Sequence, residues 1–154
     1  MRIALVCIGK LGSAPEATLA EAWVKRAGQV GRAHGLSPVE IVEVEARKAG
    51  KAAEGEALLA RLEGAFIIAC DERGLALASR AFGERLAKLR DDGVRSLAFV
   101  IGGADGLDAS VLTRADQTLA FGPQTWPHAL ARAMLAEQLY RTASLMAGQP
   151  YHRD

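Results

Sequence analysis

LAFVIGGADGL, Leu97–Leu107, joins a run of apolar residues to a turn that carries Gly102, Gly103 and Gly106. A strand with one wet face alternates polar and apolar side chains, so an unbroken run such as Leu97–Ile101 predicts a strand covered on both faces. Apolar runs recur at Ile3–Ile8, Val39–Val44 and Phe66–Cys70, with a weaker one at Thr118–Phe121. Helical spacing fills the intervals. Glu16 to about His34 is opened by Ser13 and Pro15 and carries Leu19, Trp23 and Val30 roughly on one side. Further helices are expected at Ala53–Leu62, at Ser79–Arg90 with Gly93 as its stop, and at Ala109–Arg114 behind the N-cap Asp108. The last runs from Pro127 to about Met146, before Gly148. Strands buried on both faces need helices on both faces. The expectation is therefore an α/β fold, a mainly parallel sheet in a three-layer α/β/α arrangement.

The chain has 154 residues, 50% of them hydrophobic and 24% charged, which suits one globular domain spanning residues 1–154. A net charge of +1 argues against a protein that grips nucleic acid by bulk electrostatics; any such contact must be local. No apolar run approaches the roughly 18 residues of a membrane span. The opening MRIALVCI gives way to Gly9 and Lys10 where a signal peptide would continue its apolar core, so it reads as a first strand. Cys7 and Cys70 lie in apolar runs without a CxxC pair. They are expected to be buried free thiols in a cytoplasmic protein, with no membrane and no metal as partner. Ala46–Glu56 is polar and rich in alanine and reads as a mobile loop. Its Arg47, Lys48 and Lys51 are either solvated or in contact with RNA phosphate.

Parallel sheets bind ligands at the carboxyl ends of their strands, which directs attention to the loops after Ile8, Cys70, Ile101 and Phe121. The glycines of IGGADGL let backbone approach a ligand or turn with positive φ. Their spacing is GGxxG on the fourth strand, whereas a dinucleotide fingerprint is GxGxxG on the first; a nicotinamide-dependent oxidoreductase is disfavoured. AFGPQTWPH, Ala120–His128, is stiffened by Gly122, Pro123 and Pro127 and offers free backbone groups, the Thr125 hydroxyl and the Trp126 indole. In the last helix Ala131, Leu135, Leu139, Thr142 and Met146 share a face that should pack on the sheet. Glu137 and Arg141 stand at ion-pair spacing. Arg132 is either solvated or a clamp for phosphate or carboxylate, and His128, near the helix N-terminus, is expected to be neutral. The ending GQPYHRD, Gly148–Asp154, sets stacking, titrating and phosphate-binding side chains in a row where termini normally carry nothing of consequence.

Together IGKLG (Ile8–Gly12), IGGADGL, TWPHALAR (Thr125–Arg132), LAEQLYR (Leu135–Arg141) and GQPYHRD resemble the RlmH family of large-subunit ribosomal RNA pseudouridine N3-methyltransferases, within the SPOUT superfamily. The resemblance spans the whole chain. It implies a sheet whose C-terminal part threads a loop to form a deep trefoil knot, an exception to the usual unknotted topology. It implies S-adenosyl-L-methionine as cofactor, held mainly by backbone at Cys70, at Gly102 and at Phe121, Gly122, Pro123, Gln124, Thr125 and Trp126. It also implies a homodimer with shared active sites that methylates N3 of a pseudouridine in 23S ribosomal RNA, on the assembled ribosome. Tyr151, His152 and Arg153 would then lie across the subunit boundary beside a cofactor. His152 is the first candidate to take or relay the N3 proton and Tyr151 the second, a tyrosine being also a stacking surface for a base. Arg132, Arg141 and Arg153 would stabilise charge on the uracil carbonyl oxygens or bind RNA. Two positions depart from the family: Gly122–Pro123 stands where relatives commonly have Ser, and Leu75 where Lys is frequent. A non-catalytic RNA-binding module is the remaining alternative, made unattractive by the near-neutral charge.

Overall fold

The computed structural model describes residues 1–152. Strands β1 (Arg2–Ile8), β2 (Val39–Val44), β3 (Phe66–Ala76), β4 (Ser96–Ile101) and β5 (Gln117–Ala120) form one sheet in the order β2-β1-β4-β3-β5. Every pairing is parallel. Helices α1 (Pro15–Gly31), α2 (Lys51–Leu59), α3 (Ser79–Asp91) and α4 (Ala109–Arg114) make the crossovers, and α5 (His128–Met146) follows the last strand.

The alternation of side chains along each strand divides the core into two layers. Leu5, Cys7, Leu97, Phe99 and Ile101 point to the side of α1, α3 and α5, where they meet Val24, Phe82, Leu86, Leu135 and Leu139. Val6, Ile8, Ala98 and Val100 point the other way, to Leu58 of α2, to Leu62 just beyond that helix and to Val111 of α4. Phe99 and Val100 are both fully buried, on opposite faces, which is why their strand reads as a continuous apolar run.

Three boundaries differ from the sequence expectation. Ser13 does not cap α1: the N-cap is Ala14, with no side-chain bond, and Pro15 alone supplies the start signal. The same helix stops at Gly31 and gives way to a single 3-10 turn, Arg32–His34. A Cβ on Gly31 would lie 2.4 Å from the Leu36 carbonyl oxygen, so the chain folds back where only glycine admits it. α2 begins at Lys51, so the second half of the expected mobile loop is helical. Gly50 (φ 111°) turns the chain into it, and Gly55 lets it lie close to Asp108 and Ser110 at the start of α4. There Asp108 caps the helix as expected, its Oδ1 accepting from the Ser110 N–H at 2.9 Å and the Ser110 hydroxyl at 2.6 Å.

The difference that matters for the site is in β3. It does not end at Cys70. Cys70 pairs with Leu119, the chain bulges, and pairing resumes between Leu75 and Leu119 and between Ala76 and Ala120. Gly74 makes the bulge possible, since a Cβ there would meet the Leu119 backbone at 2.7 Å.

Candidate functional site

At the carboxyl ends of β3, β4 and β5 the sheet opens into a cleft of about 690 Å³, within the usual range of small-molecule sites, roughly 300–1,000 Å³. Cys70, Gly102, Phe121, Gln124, Thr125 and Trp126 all line it. Gly122 faces an adjoining apolar groove instead, and Pro123 lies between them in the same loop. The expected set is thus brought together, with its loop divided between two hollows.

Each wall is shaped by backbone. In the glycine turn the Gly106 N–H donates to the Gly103 carbonyl at 3.1 Å, and Gly106 takes φ 78°. A Cβ on Gly102 would lie 2.6 Å from the Gly106 oxygen, so the strand end and the turn are in direct backbone contact. The loop from Phe121 to Pro127 is closed by the Trp126 indole N–H, which donates to the Phe121 carbonyl at 3.1 Å. The Thr125 hydroxyl donates to Glu72 Oε2 at 3.0 Å, tying that loop to the β3 bulge across the cleft. Among the described residues the backbone N–H groups of Gly122, Gln124, Thr125 and Trp126 have no hydrogen-bond acceptor. Beside a cleft such donors belong to solvent or to a ligand.

Ile101, Leu107, Leu119 and Ala131 give the cleft an apolar floor, while Lys51, Asp71, Arg73, Asp105 and His128 edge it with polar groups. The Arg73 side chain, bonded to Asp71 at 3.1 Å, holds that carboxyl below its usual range. Burial pushes the Cys70 thiol upward, and pushes Cys7 up to about 12. Burial thus favours the protonated thiol at both positions, the less nucleophilic form. Both were expected to be buried; Cys7 is, whereas Cys70 is half-buried at the cleft wall.

Arg132 is placed differently from any solvated role. It is 1% exposed. Nη1 donates to Glu43 Oε1 at 2.6 Å, and Nη2 donates to the Gly9 carbonyl at 3.1 Å and the Ile8 carbonyl at 3.4 Å. Glu43 Oε1 also accepts the Leu11 N–H at 3.1 Å. The carboxylate this arginine clamps is the chain's own. The network joins the first turns of α5 to the ends of β1 and β2, and α5 in turn carries the cleft loop at its amino end, so Arg132 is a positioning residue. Arg132→Met should cost about 3 kcal/mol, the low end for breaking a buried pair because Glu43 keeps some solvent. In a chain of this length that is a fall in Tm of roughly 6–12 °C. Thermal melts of R132M, E43Q and the double variant check it, the double variant being expected to lose less than the sum of the two. A parental Tm for R132M would remove the network's structural role.

The tail is docked on its own chain as far as it is described. The Tyr151 ring meets Tyr140 edge-on at 4.7 Å between centroids and lies 5.9 Å from Trp23. Its hydroxyl donates to Glu137 Oε1 at 2.9 Å, and the same oxygen accepts from Arg141 Nη2 at 2.6 Å. The expected Glu137–Arg141 pair is present, half-buried and serving as the anchor of the tail. Burial, and then the bond to Glu137, hold the Tyr151 phenol above its usual pKa. His152 Nδ1 lies 3.4 Å from Arg141 Nη1. Tyr151, His152 and Arg141 do not line the cleft of their own chain, and Arg153 lies outside the described residues.

Sequence reasoning missed Glu72, Gly74 and Glu43. Glu72 and Thr125 are 53 positions apart and Glu43 and Arg132 are 89 apart, distances at which no local pattern links a pair.

The chain matches the family described as "Predicted SPOUT methyltransferase" over residues 1–152. It is 64% identical to the ribosomal RNA large subunit methyltransferase H of Phenylobacterium zucineum (strain HLK1), each chain covered completely. It is 61% identical to the protein of that name in Caulobacter vibrioides (strain ATCC 19089 / CIP 103742 / CB 15), covering 100% of this chain and 99% of that one. Among solved structures, a probable methyltransferase from Bordetella pertussis Tohama I aligns over 92% of this chain and 96% of its own at TM-score 0.53 and 17% identity, a likeness of fold alone. From the parallel sheet, the cleft at its carboxyl edge and the full-length match, this chain belongs to the SPOUT methyltransferases, among the relatives called ribosomal RNA large subunit methyltransferase H.

Proposed function

We propose that the protein transfers a methyl group from S-adenosyl-L-methionine to N3 of a pseudouridine in 23S ribosomal RNA, acting on the assembled ribosome as a homodimer with a knotted C-terminal half. The observation that carries this is the run of unpaired backbone donors at Gln124, Thr125 and Trp126, beside an apolar floor at the ends of three neighbouring parallel strands. The residues present fit such a donor: its adenine and amino-acid ends want hydrogen-bonding edges, its carbon skeleton wants Leu107, Leu119 and Ala131, and the glycine turn adds no side chain in its way. When bound, the donor supplies a methyl group on a sulfonium with an excellent leaving group.

What remains for the protein is alignment of the ring nitrogen with the methyl carbon and removal of the N3 proton. The loop from Phe121 to Trp126, fixed by its contacts to Glu72 and to itself, gives the alignment. His152 takes or relays the proton, Tyr151 stacks on or hydrogen-bonds the nucleoside, and Arg141, with Arg153, steadies charge on the carbonyl oxygens. Because Tyr151 and His152 are docked off the cleft of their own chain, they serve the cleft of a second copy. An apolar groove of about 670 Å³, walled by Trp23, Phe121, Leu130 and Met134 and reaching Glu137, supports that pairing. Leu19 and Leu130 on it are 49% and 37% exposed, a contiguous apolar surface of the kind that a second subunit covers. No helix among the described residues is long and apolar enough to cross a membrane, and we place the activity in the cytoplasm with the ribosome.

Calorimetric titration with S-adenosyl-L-methionine and separately with NAD, followed by transfer of labelled methyl to ribosomes lacking the modification, tests this. Saturable binding of the first alone and label in assembled ribosomes, exceeding that in isolated large subunits or naked RNA, are expected. Binding of NAD alone would restore the oxidoreductase, and cofactor binding without label in any RNA would refute the substrate.

A further inference from the structure

We infer that the exposed segment between β2 and α2, carrying Arg47 and Lys48, together with Lys51 at the first position of α2, is the surface on which the phosphate backbone of the RNA substrate rests beside the cleft. The proposal rests on the cleft being the methyl-donor site. Its basis is what remains after the nearby charges are paired off. Lys10 is matched by Glu45 at 2.7 Å, Arg132 by Glu43 at 2.6 Å, and Arg73 by Asp71 at 3.1 Å. Arg47, Lys48 and Lys51 are exposed and have no ion-pair partner within 4.0 Å among the described residues. Two nearby carboxylates are turned to other groups: Asp108 is committed to Ser110, and Glu54 lies over the glycine turn, where its oxygens would be 2.9 and 3.2 Å from a Cβ on Gly103. Lys51 still feels Asp71 and Asp108 through space. The outward charge of this stretch is positive.

Position and shape fit a polyanion. The segment leaves β2 at Val44 on the carboxyl edge of the sheet and ends at Lys51, which lines the cleft. Ala46 precedes Arg47, and only Ala49 and Gly50 stand between Lys48 and Lys51, so no bulky side chain separates the backbone from a strand of phosphates. A chain of net charge +1 gains no long-range pull from its whole surface. A local cluster at the mouth is then what holds RNA in register, positioning by phosphate contacts and leaving the target base to the cleft.

The test compares R47Q/K48Q with R95Q/R114Q, a neutralised pair of exposed arginines near the opposite edge of the sheet, where Arg95, Arg114, Gly64 and Asp116 line a shallow hollow. Methyl transfer to ribosomes is measured as a function of salt, and donor affinity by calorimetry. R47Q/K48Q should raise KM for ribosomes about tenfold with kcat held, and lower the slope of log affinity against log salt by about 1.4–1.8, the loss of two phosphate contacts. Donor affinity should stay parental, and R95Q/R114Q should match the parent throughout. An unchanged KM and salt slope in R47Q/K48Q, or an equal change in both variants, overturns the proposal. Failure of the unaltered protein to bind the donor is a separate result, which would sink the assignment of the cleft and this surface with it.

Discussion

Deleting residues 151–154 is expected to lower methyl transfer about a thousandfold, the scale of a lost proton-transfer group, while donor affinity stays within a factor of a few. The separation follows from geometry. Tyr151 and His152 sit against Tyr140, Trp23 and Arg141 and take no part in the walls of their own cleft. Some stability goes with them, since an aromatic contact of this kind contributes about 0.5–1.5 kcal/mol beyond its buried area. Y151F keeps the ring contacts and removes only the bond to Glu137, and H152A removes the proposed proton carrier while leaving Tyr151 in place. Single-turnover transfer from labelled donor measures all three. Parental turnover by the deletion variant would show the tail to be catalytically idle.

Gly102→Val should reduce donor affinity about a hundredfold or more, close to 3 kcal/mol. A Cβ at this position meets the Gly106 carbonyl oxygen at 2.6 Å and the Leu107 nitrogen at 3.0 Å, so the first thing it strikes is the chain's own turn. These are backbone atoms, held by the Gly103–Gly106 hydrogen bond, and no rotamer change relieves them. The turn must open, and the wall of the cleft goes with it. Calorimetry reads the affinity and a melting curve confirms a folded protein; G102A should show a smaller loss in the same direction. Normal affinity in a folded G102V would place the donor elsewhere. Mixing G102V with the tail-deleted chain should restore part of the activity, because one subunit then brings an intact cleft and the other an intact tail. No recovery after demonstrated subunit exchange would mean that each chain uses its own tail.

Strands and helices were legible because their cause is local. Leu97–Ile101 is apolar throughout and is buried on both faces; Asp108 caps α4; Gly93 takes φ 90° and ends α3. The cleft was half legible: strand-end logic and the resemblance pointed to Cys70, Gly102 and the loop after β5, and these converge. The second half of β3 was not, since DERGLA has no strand signature and pairs with β5 only because Gly74 lets the backbones touch.

Arg132 shows the same division most sharply. Its sequence neighbours place it one turn into an amphipathic helix and leave open whether it meets water, phosphate or a carboxylate. Packing resolved the choice, since α5 sets that position against the ends of β1 and β2, where Glu43 and two carbonyls wait. The parallel α/β architecture, the family and the edge of the sheet where the cleft opens could be read from residue order, because hydrophobic periodicity, turn residues and short motifs act over a few positions. Which polar groups are consumed in holding the chain together, and which stay free for a ligand, is set by the folded arrangement. Hydrogen bonds and ion pairs form between groups that folding brings together, wherever they lie along the chain.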